Sequence, residues 1–162
     1  MLGNYAIAQN AALVNKVDTL INKRVKNIYV EIMGAGLAFS ANYDTRFENK
    51  EDGIGARIGV GGYSIDASSI LAVPVQLNYL VGKKNKFLEL GLGFTYFNFS
   101  GSDLIFFKGS KVNTSKEIGT LTFGYRYQPK EGGFSYRTFI SPFFDGKTFI
   151  PYWFGASMGY SF

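Results

Sequence analysis

From residue 26 onward, apolar residues alternate with small or polar ones over stretch after stretch of the chain. Period two is the mark of a β-strand with two unlike faces. The last stretch is the clearest: Tyr152, Phe154, Ala156, Met158, Tyr160 and Phe162 alternate with Trp153, Gly155, Ser157, Gly159 and Ser161. One face is wholly apolar or aromatic, and the other is small and polar after Trp153. Leu71, Val73, Val75, Leu77, Tyr79 and Val81 repeat the division, as do Leu88, Leu90, Leu92, Phe94 and Tyr96 against Glu89, Gly91, Gly93 and Thr95. Three further strands read at residues 54–61, 120–127 and 134–141.

The segment from Lys26 to Phe47 changes phase midway. Ile28, Val30 and Ile32 are apolar at even positions, Leu37, Phe39, Ala41 and Tyr43 at odd ones. Gly34-Ala35-Gly36 sits at the slip, which predicts a tight hairpin there and eight strands in all. The shortness of Lys26 to Met33 leaves open seven strands, with one long bulged strand. Short polar connections at about 48–53, 82–86 and 129–133 alternate with ones at about 62–69, 98–116 and 142–149. With the C-terminus on the periplasmic side, the longer set faces outward.

The fold class expected is therefore all-β: an antiparallel up-and-down transmembrane β-barrel of about eight strands over residues 26–162. Residues 1–25 read differently. Leu13, Val14, Val17, Leu20, Ile21 and Val25 share one helical face with Lys16, Lys23, Arg24 and Lys26 around it, which predicts a short amphipathic helix. Such a helix lies on the inner leaflet, or else packs on the barrel mouth or is a leader. Ala6-Ile7-Ala8-Gln9 reads as the small-residue end of a signal peptide.

Composition agrees with a membrane barrel. Sixteen Phe, 11 Tyr and 20 Gly stand beside 18% charged residues, while mean hydropathy is near zero. No window offers the ~18–20 continuous apolar residues of a membrane-spanning helix, whereas spanning strands need only ~9–11 residues with one apolar face. Cysteine and histidine are both absent. That removes thiolate chemistry and the usual catalytic base of barrel hydrolases, so the expectation is no enzyme, no cofactor and no metal. The net charge of +5 comes with no basic run interleaved with aromatics, so nucleic acid is not an expected partner.

The inward set is Glu31, Asn42, Asp44, Arg57, Gln76, Asn78, Glu89, Thr120, Thr122, Arg126, Ser135 and Arg137. In a barrel of eight strands these groups fill the interior and satisfy one another. Glu31 and Glu89 are the expected partners of Arg57, Arg126 and Arg137; the rival reading is a narrow path for small anions lined by those arginines. Leu104-Ile105-Phe106-Phe107 makes an apolar loop, either a partner surface or a hairpin extended into the aromatic belt. Tyr160 and Phe162 are the expected signal to the barrel-assembly machinery.

Several segments carry a family likeness: Ile28-Tyr29-Val30-Glu31, Gly34-Ala35-Gly36, Ser40 to Phe47, Val73-Pro74-Val75-Gln76-Leu77-Asn78-Tyr79, Gly124 to Pro129 and Gly159-Tyr160-Ser161-Phe162. Over residues 26–162 the chain resembles a family of small outer-membrane β-barrel proteins common in Bacteroidota. The resemblance implies a Gram-negative outer membrane and brings no catalytic residues. The function expected is non-enzymatic: a structural barrel in outer-membrane lipid, or an accessory subunit of a larger complex. A pore for small solutes is the alternative, a lipid- or glycan-modifying enzyme a remoter one. A soluble lipocalin-like barrel would need the opposite facing of apolar and polar residues.

Overall fold

The computed structural model describes residues 24–65, 68–100 and 114–162. Its strands are β1 (Lys26–Met33), β2 (Phe39–Arg46), β3 (Gly53–Ile65), β4 (Ser68–Lys83), β5 (Lys86–Ser100), β6 (Thr114–Tyr127) and β7 (Gly133–Ile140), then the two-residue β8 (Phe143–Phe144) and β9 (Phe149–Ile150), and last β10 (Phe154–Ser161). β1 to β7 and β10 form the wall. Each pairs antiparallel with its neighbours, and the ring closes where β1 meets β10 and β5 meets β6. At the first seam Lys26 and Phe162 exchange both main-chain hydrogen bonds, at 3.1 and 2.9 Å. The wall thus has eight strands, and the seven-strand alternative is set aside. Closure removes the unpaired edges that an open sheet would present.

The faces follow the alternation. Leu88, Leu90, Leu92, Phe94 and Tyr96 point outward and are exposed, while Phe87, Glu89, Thr95 and Phe97 are buried within. Outside, Ile28, Val60, Leu77, Phe134, Phe154 and Met158 are each more than half exposed. That facing is the reverse of a lipocalin-like barrel.

Several boundaries depart from the sequence expectation. Residues 62–65 and 68–69 are strand rather than loop, so β3 and β4 are joined around positions 66–67. Gly62, expected to open the connection, serves close approach within the sheet. A Cβ on Gly62 (φ +144°) would fall on the main-chain oxygen of Ile70. Pairing of β3 with β4 lapses opposite Val73-Pro74 and resumes at Gly61↔Ala72 in the same register; proline has no N–H to give the ladder. β10 begins at Phe154, leaving Tyr152 and Trp153 ahead of it. The segment over 142–149 holds the β8–β9 hairpin, which docks on Gly119-Thr120 of β6 beyond the point where β7 leaves off. In its turn, Asp145 accepts from Lys116 and from the amides of Thr148 (2.7 Å) and Lys147 (3.0 Å). These donors, Lys116 foremost, hold its carboxyl well below the usual range.

The expected hairpin at Gly34-Ala35-Gly36 is present as a single 3₁₀ turn between β1 and β2. Its position is not what the pattern implied. All three residues are buried, because β1 and β2 are shorter than β3 to β6 and their turn folds into the barrel mouth. Trp153 Nε1 donates to Gly34 O at 3.1 Å, and Thr95 Oγ1 to Ala35 O at 2.8 Å. Met33 (φ 62°) and Leu37 (φ 67°) flank the turn with left-handed backbone, a conformation that costs non-glycine residues about 1–3 kcal/mol. The inserted turn's bonds offset that strain. Leu37, expected on the outward face with Phe39, instead packs on an inward apolar cluster of Ile70, Ala72 and Phe97.

Gly34 has φ +78°, and a Cβ there would lie 2.7 Å from Glu31 Oε1 and from the Phe139 ring. Gly34→Val is therefore expected to destabilise the folded barrel by about 1–3 kcal/mol. The urea midpoint of the folded, cold-SDS-resistant band checks this; an unchanged midpoint would mean that the turn is not seated in the mouth.

The expected N-terminal helix lies outside the described residues except for Arg24 and Val25, which are not helical. The signal-like stretch at 6–9 and the loop Leu104-Ile105-Phe106-Phe107 also lie outside them.

Candidate functional site

Every member of the inward polar set is buried. The charged ones join in one chain of alternating sign. Arg57 Nη1 lies 2.8 Å from Glu31 Oε2, and Arg137 Nη1 is 3.8 Å from the same oxygen. Arg137 Nε stands 3.0 Å from Glu89 Oε2 as an ion pair, and Arg126 Nε donates a hydrogen bond to that oxygen at 3.0 Å. Arg126 Nη2 reaches Glu89 Oε1 at 3.1 Å, making that pair bidentate. On its other side Arg126 Nη1 donates to Asp44 Oδ1 at 3.0 Å, and Arg46 Nη2 to the same oxygen at 2.7 Å. The run Arg57–Glu31–Arg137–Glu89–Arg126–Asp44–Arg46 thus crosses the interior and ties β1, β2, β3, β5, β6 and β7 together.

The expected pairings of Glu31 and Glu89 with Arg57, Arg126 and Arg137 are present. Asp44 and Arg46 extend the network beyond them. Arg46, Tyr29, Asn27 and Gln128 are among the buried polar groups outside the expected inward set. Their signal was phase alone: Arg46 continues Asn42 and Asp44, Gln128 continues Arg126, and Asn27 and Tyr29 precede Glu31 at odd positions. Nearness to turns, and an aromatic ring on a polar face, hid it.

Asn78 Nδ2 donates to Asp44, and Asn78 Oδ1 accepts from Arg46. Tyr29 OH accepts from Arg57 at 3.2 Å, and Arg126 Nη1 also donates to Gln128 Oε1 at 3.0 Å. Gln76, opposite Arg57 across β3 and β4, donates to Thr122 Oγ1 at 2.8 Å; Ser135 Oγ donates to Asn27 Oδ1 at 3.0 Å. Arg137 differs from the other arginines. Its approach to Glu89 is close in distance, but none of its three guanidinium nitrogens makes a well-aligned hydrogen bond among the described residues. At 3.0 Å the opposite charges of Arg137 and Glu89 attract whatever the angle between them. The guanidinium also stacks over Tyr29 and Phe139, at 4.6 and 4.9 Å from their centroids.

Four guanidinium groups face three carboxylates here, each at most 2% exposed. A passage wide enough for water would leave accessible area on the groups lining it. Apolar side chains close both ends of the network: Val25, Leu80 and Phe87 toward the short turns, and Ala35, Ala72, Phe97 and Phe139 toward the long connections. The arrangement binds its own charges together and leaves no solvent-accessible path beside them among the described residues.

No protein-family model matches the chain, and no curated protein sequence does. Among solved structures, the crystal structure of the N-terminal β-barrel domain of Pseudomonas aeruginosa OprF is similar, with a TM-score of 0.62 at 12% identity, covering 87% of this chain and 98% of that one. The chain therefore has the fold of an outer-membrane-type β-barrel of eight antiparallel strands.

Proposed function

We propose that the protein is an integral outer-membrane barrel without catalytic activity, acting as a structural component or as an accessory subunit of a larger outer-membrane complex. One observation carries the reading: a wall apolar outside is closed around a charged, solvent-excluded interior. Water would select the opposite facing, since burying unpaired charge and exposing a continuous apolar belt are both unfavourable there. In a bilayer the belt faces lipid and the charges face one another. The Lys26–Phe162 hydrogen bonds at the β1–β10 seam suit an assembly step in which the last strand, with Tyr160 and Phe162, closes the ring under the barrel-assembly machinery. The motif resemblance supports a bacterial source in Bacteroidota.

The pore alternative is tested directly. Purified protein in planar bilayers is expected to give no steady ionic current, because none of the buried guanidinium groups has solvent beside it. A reproducible current that shifts on Arg57→Ala or Arg126→Ala would replace the structural reading by an anion path. Fractionation supplies the prior test: the protein is expected in the outer membrane, with a gel mobility that changes on boiling.

A further inference from the structure

One part of the outer wall departs from a smooth belt. Ile28, Val30, Ala41, Met158, Tyr160 and Phe162 line an apolar groove of about 360 Å³ over the Tyr29–Gly159 pair. It exists because Ala41, opposite Val30, is small where its outward neighbours on β2 are Phe39 and Tyr43. Lys26 occupies the next outward position below Ile28 on β1, between Thr45 of β2 and Phe162, about 7 Å further along the strand. Arg24 precedes it in the same phase. Both are exposed, and among the described residues neither has an ion-pair partner. A carboxylate at the main-chain end of Phe162 would offset one of these charges and leave the other.

We propose that this groove, with Lys26 and Arg24 at its foot, is a binding site for an anionic phospholipid of the leaflet on the short-turn side. One acyl chain occupies the groove and the phosphate meets the two cations. The inference rests on the membrane reading above. A phospholipid fits because the site is amphipathic along the membrane normal: apolar for the span of Ile28 to Val30, cationic one step beyond. A zwitterionic headgroup carries its own ammonium and gains less from these cations. Each basic side chain near an anionic surface strengthens binding by about fivefold, so two should favour phosphatidylglycerol over phosphatidylcholine by more than tenfold.

Native mass spectrometry of the detergent-solubilised protein, titrated with phosphatidylglycerol or phosphatidylcholine, tests the site. The wild type is expected to retain phosphatidylglycerol preferentially, and soluble glycerol phosphate is expected not to bind. The double variant Arg24→Gln/Lys26→Gln should lose the preference while keeping the heat-dependent gel shift, since it removes no buried contact. Ala41→Phe, which fills the groove, should lower retention of both lipids. Equal retention of the two lipids by the wild type, or retention unchanged in both variants, would overturn the site and leave the barrel reading intact. Binding of glycerol phosphate as tight as that of the lipid would make it a phosphate site instead. A wild-type protein without a heat-dependent shift would overturn the membrane reading and this site with it.

Discussion

Glu89→Ala is expected to destabilise the barrel by about 3–5 kcal/mol, the cost of leaving a buried charge without its partner. Arg126 and Arg137 stand directly opposite one another across β6 and β7, and both point into the interior. Like charges in that relation repel. Glu89 Oε2 lies 3.0 Å from each Nε and is the one carboxylate they share. Without it Arg126 keeps Asp44, but Arg137 is left with Glu31 at 3.8 Å and two aromatic rings. The double variant Glu89→Ala/Arg137→Met should recover a substantial part of the loss, because it deletes the surplus cation and replaces it with an apolar chain. A double-mutant cycle on urea midpoints of the folded band isolates the coupling. A loss below about 1 kcal/mol for Glu89→Ala, beneath the range for an uncompensated buried charge, would mean that water reaches Arg137.

The second large effect belongs to the outer wall. Leu92 is 60% exposed near the middle of β5, in one outward row with Leu77 of β4 and Leu121 of β6. Leu92→Arg is expected to cost about 2–4 kcal/mol for the barrel folded in liposomes, as a guanidinium near the bilayer midplane does. Val81→Arg, close to the Lys83–Lys86 turn, should cost only about 0–1 kcal/mol, since headgroups and water are within reach there. The depth dependence is the informative part. A water-soluble barrel would tolerate both substitutions alike, and Leu92→Arg would make it more soluble.

The two predictions draw on different levels of information. The outward rows that place Leu92 were legible in the sequence, because a strand sends successive side chains to opposite faces whatever it pairs with. The same rule put Glu89, Arg126 and Arg137 on the inward face. It could not say which carboxylate each arginine meets. Asp44 was visible as inward, yet its role between Arg46 and Arg126 was not, for 82 residues separate Asp44 from Arg126.

Turns were the weakest part of the sequence reading. Gly62 reads as the start of a connection but lies within the sheet, where Ile70 of β4 approaches too closely for a side chain. Gly34-Ala35-Gly36 reads as an ordinary hairpin, and its composition does carry that much. Its burial depends on β3 to β6 rising past it and on Thr95 and Trp153, 60 and 119 residues further on in the sequence.

By itself, then, the sequence determined the strands, their two faces and the need for closure around a polar interior, since these follow from local alternation and from the cost of exposing the wrong face. The tertiary structure alone decided the stagger between strands, and with it the height at which each charge enters the interior. That stagger makes the seven charged groups one continuous chain, turns the β1–β2 hairpin inward and sets Lys26 at the foot of a groove. Such relations join residues distant in sequence, and no local periodicity encodes their depth.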